Sequence, residues 1–401
     1  MKTTRKRLFW VMGVVVTITL VLSVFISAPV YAEAIKIGVL FSTTGPFAGF
    51  GKPGQRGALL ALEQANAAGG IKGQPLEIIV YDAESNADQA SRQTKKLIVR
   101  DKVTAIIGPE SWRPAALMHA LAIEHKVPIF TDLASPGTYP AEQVSWTFEI
   151  QGGADTNLLG TLYYFKSIGV KRLVFFGTAD PLGEKLIKDI NTEASKLGMT
   201  LVGVQLAPQT STDVTAQMAV LKEKNPDALV VLGGGPFGNI AMNNAFQVGM
   251  NIPVNYIGAN IIPAYLEGLG SGAAKNQRSA VHKAVAYYDL DETDPAKPTI
   301  TAVANAYRAK YGEEINWASA CAYDGGRMIV EALKAVGPDP QGIKKYCDNL
   351  KNWEAPGTGR HMTMLPEYHY IQHDIRDLII VRWDVGEKRF RKVANVRDAL
   401  K

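Results

Sequence analysis

Cysteine is almost missing from this chain: Cys321 and Cys347 are the only two among 401 residues. Two thiols cannot supply the disulfide framework that holds small secreted domains together. Both fall in what read as consecutive helices joined near Gly337-Pro338-Asp339-Pro340. Packed antiparallel at 1.5 Å per residue, those helices would leave the two residues about 13 Å apart, too far for a bridge. Two buried free thiols are expected. Histidine is also scarce, with six residues. His369 and His373 have the spacing of a helical metal site, with His361 and Glu367 near them. Yet Tyr370 stands where a zinc protease motif needs its Glu, and Pro366 points to a turn, so no metal is expected. An excess of one charge is missing too. The formal net charge is +5, and Lys2, Arg5, Lys6 and Arg7 supply four of those charges, which leaves the rest near +1. That balance provides no basic stripe for a nucleic acid.

Two enzymatic patterns are present only in outline. Gly233-Gly234-Gly235-Pro236-Phe237-Gly238 satisfies G-x-G-x-x-G, but no Asp or Glu follows until Glu267. The acid that would hold a dinucleotide ribose is therefore lacking. Ser111 has His119 and His125 downstream without a Gly-x-Ser-x-Gly elbow, so a hydrolase nucleophile is not supported. No catalytic set converges. The expectation is a protein that is not an enzyme and carries no cofactor.

What is present begins with an export signal. The basic start precedes an apolar stretch from Leu8 to Ile26, broken by Pro29 and followed by Val30-Tyr31-Ala32. Small residues at that point suit a signal peptidase, so residues 1–32 read as a cleavable signal peptide, with cleavage after Ala34 a near alternative and an uncleaved anchor the competing reading. No Cys near the site could carry a lipid, so a free periplasmic protein is expected. From Glu33 onward the length suits two domains.

The mature chain alternates β-rich runs with amphipathic stretches. Strands are expected at 35–41, 76–81, 103–108 and 127–131, with helices at 55–67, 87–101 and 115–125 between them. The rhythm restarts after Gly152-Gly153, with strands at 172–176, 201–204, 228–232 and 254–257 and helices at 156–168, 181–197, 212–224 and 239–248. Late helices at 317–336 and 342–350 precede a strand at 378–383. Strands separated by such helices imply right-handed crossovers and parallel sheets. The fold class is therefore α/β, with two Rossmann-like lobes around a cleft. Ligands bind such sheets beyond the carboxyl ends of the strands.

The residues Ile35-Lys36-Ile37-Gly38-Val39-Leu40, Thr44-Gly45-Pro46-Phe47-Ala48-Gly49-Phe50-Gly51, Ala67-Ala68-Gly69-Gly70-Ile71-Lys72-Gly73, Tyr81-Asp82, Ile107-Gly108-Pro109, Ala134-Ser135-Pro136 and Tyr323-Asp324 make the chain resemble the periplasmic branched-chain amino-acid binding proteins. These are the type I solute-binding components of ABC transporters. The resemblance covers essentially the whole mature chain, most specifically in the first half. It implies two lobes hinged by three crossovers, with 33–148 plus 285–357 in lobe I and 149–284 plus 358–401 in lobe II. It also implies a monomer whose partners are a small solute and inner-membrane permease subunits.

By the same resemblance, the ligand carboxylate sits on the lobe I loops Pro109-Glu110-Ser111-Trp112 and Leu133-Ala134-Ser135. Hydroxyls and N–H groups at helix starts suit an anion. Ser135 matches the family hydroxyl. In the first loop Trp112 falls on the hydroxyl position with Ser111 one place earlier, so either the register shifts or that hydroxyl is lost. Phe50 takes the place of a Tyr against the ligand side chain. Lobe II departs further: Asn260 stands where the family has the acid that holds the ligand ammonium, and Gly235 replaces an aromatic. A neutral amide is a poor counter-ion for a buried ammonium, although Asp180 could supply a charge. The ligand is therefore expected to be a branched-chain-type amino acid, a carboxylate without an amine, or a neutral amide. A periplasmic sensory module using the same cleft is the alternative.

Overall fold

The strands of the first lobe are apolar along both faces, which requires cover on both sides. A computed structural model describes residues 33–110, 117–133, 136–234, 237–257 and 261–400; the expected signal peptide lies outside them. Strands β1 (Ile35–Phe41), β2 (Leu76–Asp82), β3 (Ala105–Ile107), β4 (Ile129–Thr131) and β5 (Thr147–Glu149) form a parallel sheet in the order β2-β1-β3-β4-β5. Ile37 and Val39 pack with Ala58 and Leu62 of helix α1 (Ala48–Ala67). Leu40, on the opposite face, meets Ala90 of α2 (Ala87–Lys95) and Met118 and Ala122 of α3 (Met118–His125). Alternate side chains of one strand thus enter two different cores.

The second lobe repeats the scheme. Helix α4 (Ala154–Ser167) leads into β6 (Arg172–Thr178), α5 (Pro181–Lys196), β7 (Thr200–Ala207), α6 (Thr215–Lys222), β8 (Ala228–Val231), α7 (Phe237–Gln247) and β9 (Val254–Tyr256). The sheet is parallel in the order β7-β6-β8-β9. Short helices α8 (Pro263–Leu266) and α9 (Ser271–Asn276) precede β10 (Ser279–His282), which pairs antiparallel with β14 (Leu378–Asp384) and through it β15 (Arg389–Asn395).

Helices α10 (Lys297–Tyr311) and α11 (Trp317–Val336) carry the chain back to the first lobe, where α11 lies along α1. The contact is close because Gly57 faces the backbone: a Cβ there would lie 2.0 Å from the Ser319 carbonyl oxygen. Asn316 starts α11 with a capping box, accepting from the Ser319 N–H while the Ser319 hydroxyl accepts from the Asn316 N–H. After α12 (Pro340–Asp348), a small antiparallel sheet of β11 (Trp353–Glu354), β12 (His361–Leu365) and β13 (Tyr370–His373) packs beside β5.

The chain passes between the lobes three times: after β5, between β10 and α11, and between β13 and β14. Trp317 marks where these crossings meet. Its indole N–H donates to Gln151 Oε1 at 3.1 Å, and its ring lies 4.5 Å from that of His282 and 5.9 Å from the Arg360 guanidinium. The two-lobed α/β fold with three crossovers is as expected, but the third crossing follows β13 rather than residue 357, because Met362, Met364 and Ile371 of β12 and β13 pack into the first-lobe core.

Several details differ from the sequence expectation. Helix α1 starts at Ala48 rather than Gln55 and runs through Pro53, with Gly51 close against Ser42 and Gly54 against Phe41 at the end of β1. The β11–β13 sheet was not anticipated; its strands are short, and its methionines give little β signal. Cys321 and Cys347, by contrast, are both free and buried, as expected.

Candidate functional site

In an open parallel sheet, the crevice opens where neighbouring strands send their connections to opposite faces. In the first lobe the order reverses between β1 and β3, and in the second between β6 and β8. The first crevice is bordered by Ser42 after β1 and by Gly108-Pro109-Glu110 after β3. The second is bordered by Ala179-Asp180 after β6 and by Leu232-Gly233-Gly234 after β8. The lobes touch near the first crevice, where a Cβ on Gly49 would lie 3.2 Å from Cε1 of Tyr265 in α8.

Gly108 sets the path out of β3. Its φ is +100°, and a Cβ would fall 1.8 Å from the Leu40 carbonyl oxygen, so only glycine fits. The Thr131 hydroxyl donates to the Pro109 carbonyl at 2.6 Å and holds the next turn. Glu110 is thereby laid across the crevice, where its Oε2 accepts the Ser42 N–H at 2.9 Å. The side chain is 3% exposed, its Oε1 has no hydrogen-bond partner, and no ion pair reaches it among the described residues. Burial raises its pKa against the pull of Ser42, and the charge of Asp82 adds to the rise. From the second lobe, the buried hydroxyl of Tyr265 also lacks a partner. Burial and then the charge of Glu110 push its phenol up to about 12.

A second buried acid stands at the end of β5. Glu149 accepts N–H groups from Leu133 at 2.6 Å and Gly152 at 2.8 Å, and from Gln151. It therefore ties the loop after β4 to the first crossover. Burial, and then Asp132, raise its pKa despite these three bonds.

Of the site residues expected from sequence, Phe50, Leu133 and Asp180 are described; Ser111, Trp112, Ala134, Ser135, Gly235 and Asn260 lie outside the described residues. Phe50 is 5% exposed and belongs to an apolar cluster that also takes in Ile261, Ile262 and Leu266 of the second lobe. Leu133 is buried beside Val144 and Tyr370. Asp180 is the N-cap of α5, with Oδ1 accepting the Gly183 N–H at 2.9 Å and Oδ2 the Thr178 hydroxyl at 2.8 Å. Sequence reasoning quoted Glu110 only as part of its loop and missed Glu149 and Tyr265. The available signal was an acid at the end of an apolar strand run, as in Trp146-Thr147-Phe148-Glu149.

The histidines take separate roles. His361 Nδ1 lies 2.8 Å from Asp377 and His369 Nε2 lies 3.0 Å from Asp348, while His373 is buried at the third crossover. His119 is buried, its pKa lowered to about 4 by desolvation, with Nδ1 3.1 Å from the Thr147 hydroxyl. No group of three His, Cys, Asp or Glu that could hold a metal occurs among the described residues, and no described helix is long and apolar enough to cross a membrane.

Two parallel-sheet lobes, three crossovers and facing strand-end crevices define a hinged binding protein. The chain belongs to the periplasmic binding protein family, whose profile matches residues 34–388. It is 26% identical over 343 residues to Leu/Ile/Val-binding protein homolog 7 of Brucella abortus, covering 80% of this chain and 82% of that one. Among solved structures it resembles the branched-chain amino acid transporter substrate-binding protein LivJ of Streptococcus pneumoniae in complex with isoleucine (TM-score 0.74, 24% identity, 90% of this chain and 99% of that one). It also resembles a solute-binding protein of an ABC transporter from Rhodopseudomonas palustris in complex with 3,4-dihydroxybenzoic acid (TM-score 0.74, 20% identity, 90% and 96%). Members of the family are exported, bind small solutes and work with ABC-transporter permeases; they are not enzymes.

Proposed function

We propose that this chain is the periplasmic, monomeric solute-binding component of an ABC transporter. It takes a branched-chain-type amino acid or a related carboxylate or amide between its lobes and delivers it to the permease subunits. The observation that carries the reading is the pair of strand-end crevices, at β1/β3 and β6/β8, one in each lobe. Ser111, Trp112, Leu133, Ala134 and Ser135 receive the ligand carboxylate from the first lobe, beside Phe50. Asp180, Gly235 and Asn260 line the second lobe's side. Hinge closure buries the solute, and the closed form is what the permease distinguishes from the open one. The fold also accommodates isoleucine in one similar protein and a dihydroxybenzoic acid in another, so the ligand class rests on this chain's own side chains.

A thermal-shift screen of the exported protein against amino acids, aromatic acids, short aliphatic acids and amides tests the reading. A ligand that binds only the folded state raises Tm. A concentration-dependent rise with one class is expected; a flat response to the whole panel removes the transport assignment.

A further inference from the structure

We propose that Glu110 is the acceptor for an ammonium group on the solute, replacing from the first lobe the acid that Asn260 lacks in the second. The inference rests on the solute-binding reading above and names the ligand class: a small molecule carrying both a carboxylate and a primary amine.

The argument starts from an incomplete site. Glu110 lies across the β1/β3 crevice with Oε2 held by the Ser42 N–H and Oε1 facing no donor. A carboxylate oxygen buried without a partner is costly, and proteins rarely keep one where water or a side chain could serve. Among the described residues, the charged and titratable groups around it are Asp82, from the end of β2, and Tyr265, from α8 across the cleft. Neither is a cation. Asp82 is itself occupied by the N–H and hydroxyl of Thr43, the Thr44 hydroxyl and the Glu84 N–H. Among the described residues no donor reaches Oε1, which leaves a place for one on the solute, and a positive one matches the negative surroundings.

The position suits an α-amino acid. In such a ligand the ammonium and carboxylate are separated by one carbon, so one lobe can hold both. Glu110 immediately precedes Ser111 and Trp112, the loop proposed for the carboxylate. Tyr265 already reaches this crevice from the second lobe, and its unpartnered hydroxyl can accept from a second ammonium hydrogen. In the empty protein, burial holds the Glu110 carboxyl towards its protonated form. Arrival of an ammonium stabilises the carboxylate, so binding of this class releases a proton.

The test uses matched pairs on the full exported protein stripped of solute: leucine with 4-methylpentanoate, and phenylalanine with 3-phenylpropanoate, with 3,4-dihydroxybenzoate alongside. Calorimetry in two buffers of different ionisation enthalpy reads affinity and protons together. The expected result is binding of the amine-bearing member at least about 100-fold tighter than its partner, with proton release. Glu110→Gln keeps an acceptor for the Ser42 N–H, and it should lose about 100-fold for the amine-bearing ligand and little for the amine-free one. Equal affinity across each pair, proton uptake on binding, or an unchanged affinity in Glu110→Gln overturns the inference while leaving the solute-binding reading intact. Silence of the wild-type protein to the entire set removes both. The proton count on wild-type protein stands even if the variant fails to fold.

Discussion

Glu149 and Glu110 are buried glutamates at the carboxyl ends of strands in the same sheet, and the chain treats them differently. Glu149 receives three backbone N–H groups and so fastens two loops to each other. Glu110 receives one, leaving a buried oxygen without a partner. The hinge follows the first pattern. Asp324 accepts from the N–H groups of Gly357 and Thr358 and from the Thr358 hydroxyl. Arg360 donates to the carbonyls of Ile150 and Gln151. Where buried charge serves architecture, the chain supplies the partners itself; where it serves a ligand, it leaves a place. The hinge and the β5 end thus fix the geometry against which the lobes move, and the β1/β3 crevice is left unfinished.

The comparison breaks most readily at Glu149. Glu149→Ala orphans three buried N–H groups and should cost roughly 3–5 kcal/mol in urea unfolding; a loss no greater than a surface substitution would show that these bonds are dispensable. The pH profile comes next. Burial raises Asp155 and Asp324 to about 6 and raises Glu110 and Glu149 as well. A carboxyl raised on folding stabilises the fold fully below its unfolded pKa and loses that contribution as pH climbs through the folded value. These four carboxyls therefore pull Tm of the solute-free protein down as pH rises from about 4 to about 7, against the rise that buried His119, His282 and His373, with lowered pKa values, give over the same range. Calorimetry of Glu110→Gln beside wild type isolates one carboxyl's share, and identical profiles would contradict its assigned burial. Glu110→Gln should lessen that fall and gain a few degrees of Tm at the alkaline end, whereas the same exchange at Glu149 should lower Tm throughout. A smaller effect is expected at Tyr265: with no bond to lose, Tyr265→Phe should leave the empty protein within about 1 kcal/mol of wild type while weakening solute binding. Smallest of all is the thiol chemistry. Burial pushes Cys321 up to about 12 and Cys347 upward as well, so neither should react with a disulfide reagent until denaturant exposes both.

Much of the frame was legible. The periodicity of Trp317 to Val336 gave that helix its observed ends, and the runs at 35–41 and 172–176 fell in observed strands. Phe50 and Leu133 were named as site residues and lie at the lobe contact and in the loop after β4. Asp180, expected as a possible source of charge for the ligand, also caps α5, a role that an Asp just before a Pro-initiated helix signals openly. His361 and His369 shared a sequence neighbourhood but found carboxylates from different elements. The β11–β13 sheet escaped notice because pairing across a turn, rather than residue type, stabilises it.

The alternation of apolar strands with amphipathic helices, the parallel crossovers and the two-lobed plan follow from the sequence alone, because each depends on spacing within a few turns of chain. Tertiary structure decided which acid is spent on the frame and which is held open. Ser42, Glu110 and Tyr265 are remote from one another along the chain. Whether a carboxylate oxygen is satisfied depends on which donors folding brings within hydrogen-bond reach and on how much water it removes, and neither quantity exists until the lobes have assembled.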